Sequence, residues 1–307
     1  MVSSLETIQK TRSQRFIEGL WLVFQLVRPK QWIKNGFVFM PILFAGKLSQ
    51  TDILLEGLFL FGYFCLTASA VYVCNDIADA QTDRLHPHKC MRPIAAGRVS
   101  RWQAILIALL LGSLGLVGAF SLSRGVGFWL LLYAGVNLLY SFVTKHIALL
   151  DVFSIATGFV LRVLAGADVS TVAASRWILL MTFFLSLLLG LGKRRGELKM
   201  LMHNAADHRV ALDGYTSRAI DQMLVILIGM VVLTYSTYTV SDYAIEHFGT
   251  DRLVYTVPFV VYGLFRYVHL MNEEEHSDPT ALLFADRPLL ISIVLWGLVC
   301  IWIIYGR

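Results

Sequence analysis

The stretch Asn75-Asp76-Ile77-Ala78-Asp79-Ala80-Gln81-Thr82-Asp83-Arg84 follows directly on a long apolar run. Asp76, Asp79 and Asp83 stand at i, i+3 and i+7, a spacing that puts three carboxylates on one face of a helix. Carboxylates crowded in this way repel one another unless a cation neutralises them. Oxygen-only ligands suit Mg2+, which takes one or two carboxylates and completes its shell with water and phosphate oxygens. Residues 85–100 then supply His86, Lys89, Arg92 and Arg98, a basic set matched to anionic oxygens. Acid beside base points to a metal-bridged diphosphate. The plainer alternative is a solvated helix end whose acids pair with Arg84 or Lys89. His86 and His88 flank Pro87, but no further His stands at ligand spacing, so shaping the loop or bonding phosphate suits them better than metal ligation.

Further polar residues are scattered through apolar surroundings. Lys30 and Lys34 lie four apart and face one groove if their segment is α-helical; with Trp32 they also read as an interfacial anchor. Tyr140, Lys145 and Asp151 surround one short connection, and Asp151 enters an apolar run where it needs a partner. Arg162 is the costliest residue, because a charge inside a span usually faces a polar cavity and has a counter-ion. Asp151, Ser154, Gly158 and Arg162 form a stripe on nearly one helical face, which either lines a cavity or serves a structural ion pair. Lys193-Arg194-Arg195 and Glu197 form a second charged group, either topogenic or the second half of one site.

The elements that position these residues are read from hydropathy. Hydrophobic residues make up 57% of the 307 and charged residues 15%; mean hydropathy is +0.65. That composition belongs to a membrane protein and excludes a soluble or nucleic-acid-binding domain. A spanning helix needs about 20 mostly apolar residues. Candidate spans are 32–47, 53–74, 102–121, 126–144, 149–167, 176–193, 219–240, 252–271 and 288–305, the first being the shortest. The expected fold is all-α, a polytopic membrane bundle of about nine helices. Residues 1–31 form an N-terminal interfacial segment, with an amphipathic helix over 16–28 that bends at Pro29. Residues 32–307 form one membrane-embedded domain. No cleavable signal peptide is evident in the polar stretch Met1 to Arg15.

With the N-terminus inside, most of the 26 Lys and Arg residues fall on the cytoplasmic side. The larger polar connections, 75–101 and 193–218, then share that side, four helices apart. Cys65, Cys74, Cys90 and Cys300 show no CxxC spacing and read as small apolar residues.

The acidic motif and the nine spans resemble the UbiA superfamily of membrane-embedded transferases. Several runs are more specific. They are Arg28-Pro-Lys-Gln-Trp-Ile-Lys-Asn35, Asn75 to Lys89, Arg92-Pro-Ile-Ala-Ala-Gly97, Asp151 to Gly166, Gly192-Lys-Arg-Arg-Gly-Glu-Leu198 and Asp286-Arg-Pro-Leu289. They resemble the decaprenyl-phosphate phosphoribosyltransferase branch over about residues 25 to 295. The resemblance implies transfer of a 5-phosphoribosyl group from 5-phosphoribosyl 1-diphosphate (PRPP) to a polyprenyl phosphate. The products would be 5-phosphoribosyl-1-phosphoryl polyprenol, a lipid-linked precursor for cell-wall arabinan, and pyrophosphate. It implies Mg2+ at Asp76, Asp79 and Asp83. It also implies substrate contacts from Lys30, Lys34, Asn75, Arg84, His86, Lys89, Arg92, Tyr140, Lys145, Asp151, Arg162, Lys193, Arg194 and Glu197. Within that set Lys193, Arg194 and Arg92 would take the PRPP phosphates, and Lys30 and Lys34 the lipid phosphate. The setting would be the bacterial plasma membrane among its lipids, with the site facing the cytoplasm; a homo-oligomer is compatible.

This chain departs from the prenyltransferase relatives after the sixth span. There they carry a second Asp-x-x-x-Asp motif, whereas Lys193, Arg194 and Glu197 stand here. A prenyltransferase with an aromatic acceptor stays open as an alternative, as does a transporter gated by Asp151 and Arg162.

Overall fold

The apolar run and the acidic motif form one helix, Thr51–Leu85, in the computed structural model, which describes residues 12–85, 89–203, 214–273, 282 and 285–306. Its 35 residues at about 1.5 Å each exceed a hydrocarbon core about 30 Å thick. The last three turns, carrying the carboxylates, therefore stand beyond the span. The expected polar connection 75–101 is thus helical in its first part, and 193–203 likewise continues a spanning helix.

In chain order the α-helices are α1 (Arg12–Val27), α2 (Phe39–Phe44), α3 (Thr51–Leu85), α4 (Arg101–Leu122), α5 (Arg124–Phe142) and α6 (Leu150–Val169). They continue with α7 (Arg176–His203), α8 (Ser217–Thr239), α9 (Asp242–Phe248), α10 (Val257–Glu273) and α11 (Arg287–Tyr305). Among the described residues, eight helical segments are long and apolar enough to cross a membrane. Boundaries follow from side chains that take up unpaired N–H groups. Ser100 and Gln103 form a reciprocal capping box on α4. Ser123 caps α5, Thr216 caps α8 and Asp286 caps α11.

The first expected span is built differently. Pro29–Val38 is a 3₁₀ helix of 10 residues, followed by the 6 residues of α2. At about 2.0 Å per 3₁₀ residue and 1.5 Å per α residue, the two pieces cover roughly 29 Å, enough to cross despite their low residue count. Arg28, in the left-handed region with φ 51°, turns the chain out of α1, and Pro29 opens the 3₁₀ helix. α6 lies directly against this segment: a Cβ on Gly166 would meet the Val38 carbonyl oxygen at 2.0 Å, so only glycine fits.

α6 joins two apolar cores. Its Leu161, Ala165 and Val169 pack with Val38, Phe64, Leu130 and Tyr133. Its Val152 and Ala156 pack with Leu188, Ile220, Leu264 and Leu289. More than half of the apolar window of α3 and of α6 is buried, against less than a quarter for α4 and α11, so α3 and α6 are the inner helices. α4 and α11 present Leu106, Leu110, Val117, Ile291, Leu298 and Trp302 outward, a surface suited to lipid and not to water. α1 exposes Leu20, Trp21 and Phe24 while Leu26 is fully buried, the arrangement of a helix lying in the membrane interface.

Candidate functional site

The end of α3 places Asp76, Asp79 and Asp83 on one face, as their spacing predicts, and three other segments bring cations to them. Arg28, at the bend before the 3₁₀ helix, donates Nη2 to Asp76 Oδ1. Arg92, in the loop after α3, donates Nη1 to Asp76 Oδ1 at 3.1 Å and to Asp83 Oδ2 at 2.6 Å. Lys145, between α5 and α6, donates Nζ to Asp79 Oδ1. Asn75 donates Nδ2 to Asp79 Oδ2 at 3.0 Å. Arg84, in contrast, turns to the Ala95 carbonyl at 3.1 Å and braces the loop that carries Arg92. Lys89 is half-buried in that loop, and His86 lies outside the described residues.

Burial explains why these cations are drawn in. Asp76 is 3% exposed, and a carboxylate so removed from water needs a charged partner. Arg84, the cation inside the motif, turns away to Ala95, and the partners are Arg28, Arg92 and Lys145. Among the described residues, no three Asp, Glu, His or Cys side chains converge on a metal position; Arg92 bridges Asp76 and Asp83, while Asp79 turns to Lys145. A cage of three carboxylates does not fit. A divalent cation sharing one or two of them does fit. The bonds from Arg28 and Arg92 fall on Asp76 Oδ1 and Asp83 Oδ2, and the donor set is all oxygen.

A second charged group lies behind the first. Asp151, wholly buried at the start of α6, accepts from Arg194 Nε at 2.6 Å and from the Tyr215 hydroxyl at 2.7 Å. Arg194, 1% exposed, also donates to Glu197 and, at 3.4 Å, to the Tyr140 hydroxyl. The partner that Asp151 requires is thus Arg194, not Arg162. Arg194 faces inward between two carboxylates, a correction to its expected place on a phosphate. Lys193 beside it is only partly buried and remains within reach of solvent. Arg195 pairs with Asp221 and the Met271 carbonyl, tying α7 to α8 and α10.

Arg162 also departs from expectation. It has no carboxylate partner among the described residues. Its Nε donates to Asn35 Oδ1 at 2.9 Å, Nη1 to the Gly158 carbonyl at 2.8 Å and Nη2 to the Tyr133 hydroxyl at 2.9 Å. The rings of Tyr133, Phe159 and Phe64 flank the guanidinium at 4.5 to 5.8 Å. Aromatic faces and neutral acceptors offset its charge.

Lys30 and Lys34 are not paired on one face. A 3₁₀ helix has 3.0 residues per turn, so residues four apart are about 120° out of line; Lys30 is exposed and Lys34 half-buried.

Arg28, Asn35 and Tyr215 are the site's residues that side-chain spacing does not single out. Arg28 and Asn35 bound the Arg-Pro-Lys-Gln-Trp-Ile-Lys-Asn run, which is their signal. Tyr215 has none, being a lone tyrosine after a long polar stretch. Burial, then its bond to Asp151, raises the Tyr215 pKa and keeps the phenol protonated. Farther out, Arg266 grips Asp286 at 2.7 Å and holds its carboxyl below the usual range.

A model of the UbiA prenyltransferase family matches residues 36–294. A Mycolicibacterium smegmatis protein named decaprenyl-phosphate phosphoribosyltransferase is 32% identical over 294 residues, which span 92% of this chain and 91% of that protein. A Mycobacterium tuberculosis protein of the same name is 31% identical over 278 residues, 89% and 91% of the two chains. The solved structure of a UbiA homolog from Archaeoglobus fulgidus, bound to GPP and Mg2+, has the same fold: TM-score 0.68 over 91% of this chain and 99% of that one, at 18% identity.

Proposed function

Because this chain belongs to the UbiA prenyltransferase family, we propose that it transfers the 5-phosphoribosyl group of PRPP to a polyprenyl phosphate such as decaprenyl phosphate. The products are 5-phosphoribosyl-1-phosphoryl polyprenol, a precursor for cell-wall arabinan, and pyrophosphate. The observation that carries the reading is near-full-length similarity to proteins named for this activity. The charges agree with it. Where a second carboxylate pair would hold a second metal, this chain sets Arg194 between Asp151 and Glu197 and leaves Lys193 at the rim. One metal-binding carboxylate face with cations around it suits two anionic substrates.

One or two of Asp76, Asp79 and Asp83 would hold Mg2+, which would neutralise charge on the diphosphate that leaves the ribose. Arg28, Arg92, Lys145 and Lys193 bind phosphate oxygens of the donor, and Lys30 and Lys34 take the lipid phosphate at the interface. An oxygen of the lipid phosphate forms the new bond to ribose C1 as the C1–diphosphate bond breaks. That phosphate is ionised near neutral pH, so no strong base is required. Departure leaves oxocarbenium character at C1, and the cations align the two anions. Asn75 orients Asp79, and Arg84 braces the loop bearing Arg92. Tyr140, Asp151, Arg162, Arg194 and Glu197 support this arrangement from within. The donor, small and strongly anionic, enters from the cytoplasm, and the polyprenyl tail stays in the bilayer.

Incubation of the purified protein with labelled PRPP, Mg2+ and decaprenyl phosphate should put label into the extracted lipid. A prenylated ring from geranyl diphosphate and 4-hydroxybenzoate, with no labelled lipid, would instead make the protein an aromatic prenyltransferase.

A further inference from the structure

We propose that Tyr215 is a positioning residue, whose hydroxyl holds the Leu149–Asp151 turn so that Lys145 and Arg194 keep their places. The phenol oxygen accepts the Leu149 N–H at 2.7 Å and donates to Asp151 Oδ1 at 2.7 Å. The same atom thus meets two demands. Leu149 has φ 69°, a backbone region unfavourable for a branched side chain, and the bond to Tyr215 helps to keep it there. Asp151 presents its other oxygen to Arg194.

Further bonds tie the turn on either side of Lys145 to the residues that Tyr215 holds. Ile147 N–H donates to the Thr144 carbonyl and Asp151 N–H to the Ile147 carbonyl. The Thr144 and Ser154 hydroxyls meet at 2.8 Å. Lys145 sits in the 3₁₀ turn Thr144–His146, between these fixed points, and reaches Asp79. Gly214 brings the tyrosine in: a Cβ there would meet the Ala148 Cβ at 2.7 Å. The end of the 193–216 stretch is thereby fastened to the connection that serves the first carboxylate group. Tyr215 touches no substrate in this assignment; it links the two charged groups.

The assignment rests on the proposed donor reading for its kinetic consequence but not for its geometry, and the experiment separates the two. In the full-length protein, Tyr215→Phe removes both bonds and keeps the ring. Lys145 should then react with an acylating reagent several-fold faster, read by mass spectrometry, as its contact with Asp79 loosens. KM for PRPP should rise about tenfold, the size of one lost hydrogen bond to a charged group, while KM for decaprenyl phosphate changes less than about twofold. Gly214→Ala should shift both readouts in the same directions. Unchanged Lys145 reactivity in Tyr215→Phe overturns the assignment, as does an equal rise in both KM values together with lowered thermal stability. Faster Lys145 labelling in a protein that never ribosylates lipid would uphold the positioning role and remove the phosphoribosyl reading alone.

Discussion

Arg162 Nε donates to Asn35 Oδ1 at 2.9 Å, so a guanidinium buried in α6 fixes the 3₁₀ segment that carries Lys30 and Lys34. Asn35 is 1% exposed and also donates to Cys65 on α3. The pair therefore binds three elements together at a depth where water is scarce. Arg162→Met should lower thermal stability in detergent by about 2 kcal/mol or more, because the Asn35 and Gly158 oxygens lose a charged donor. In a double-mutant cycle with Asn35→Leu, a coupling of about 1 kcal/mol or more is expected. Additive losses would show that the bond contributes nothing.

Asp151 and Arg194 form the most deeply buried ion pair among the described residues. Arg194→Met leaves the Asp151 carboxylate without its cation and should cost about 3–5 kcal/mol; replacing both by apolar residues should recover much of that loss. Lys193→Met, at the rim, should leave unfolding unchanged and weaken PRPP use. If Arg194→Met is as stable as the wild type, its assignment as an internal organiser is wrong.

Asp76→Asn and Asp79→Asn should each reduce lipid ribosylation by orders of magnitude while the protein stays folded. EDTA should abolish turnover and added Mg2+ restore it. Both variants keep the side-chain shape and lose the charge on which Arg28, Arg92 and Lys145 converge. Full activity in EDTA would remove the metal from the reaction.

The acidic motif was legible because its i, i+3, i+7 spacing is a helical face in any fold, and the spans were legible from hydropathy. Ion pairing was not. Asp151 meets Arg194, 43 residues away, while Arg162, which shares its helix, turns to Asn35 and three aromatic residues. Periodicity places a residue on a face but does not say which helix lies opposite. The 3₁₀ geometry of Pro29–Val38 was equally hidden: Pro29 signals a bend but not 3.0 residues per turn, and α-helical spacing misaligned Lys30 and Lys34. Tyr215 lacked any local pattern, since its role comes from a turn more than 60 residues upstream.

Lys30 and Lys34 face different directions, and so they should not be interchangeable. Lys30 stands exposed at the start of the segment, at the interface where a lipid phosphate must be held while its tail stays in hydrocarbon. Lys34 is half-buried one turn deeper, near the Asn35–Arg162 bond. Lys30→Gln should raise KM for polyprenyl phosphate and leave PRPP affinity nearly unchanged. Lys34→Gln should do the same with an added loss of thermal stability. Arg92→Gln should show the converse substrate pattern, because Arg92 lies on the carboxylates that serve the donor. Each loss should be about a kcal/mol or more, as for a charge-assisted hydrogen bond to an anion. Titrations of both substrates on the three variants decide the matter. Equal damage to both affinities from Lys30→Gln would mean that the two anions draw on one basic pool, and the division between donor and acceptor cations would fall.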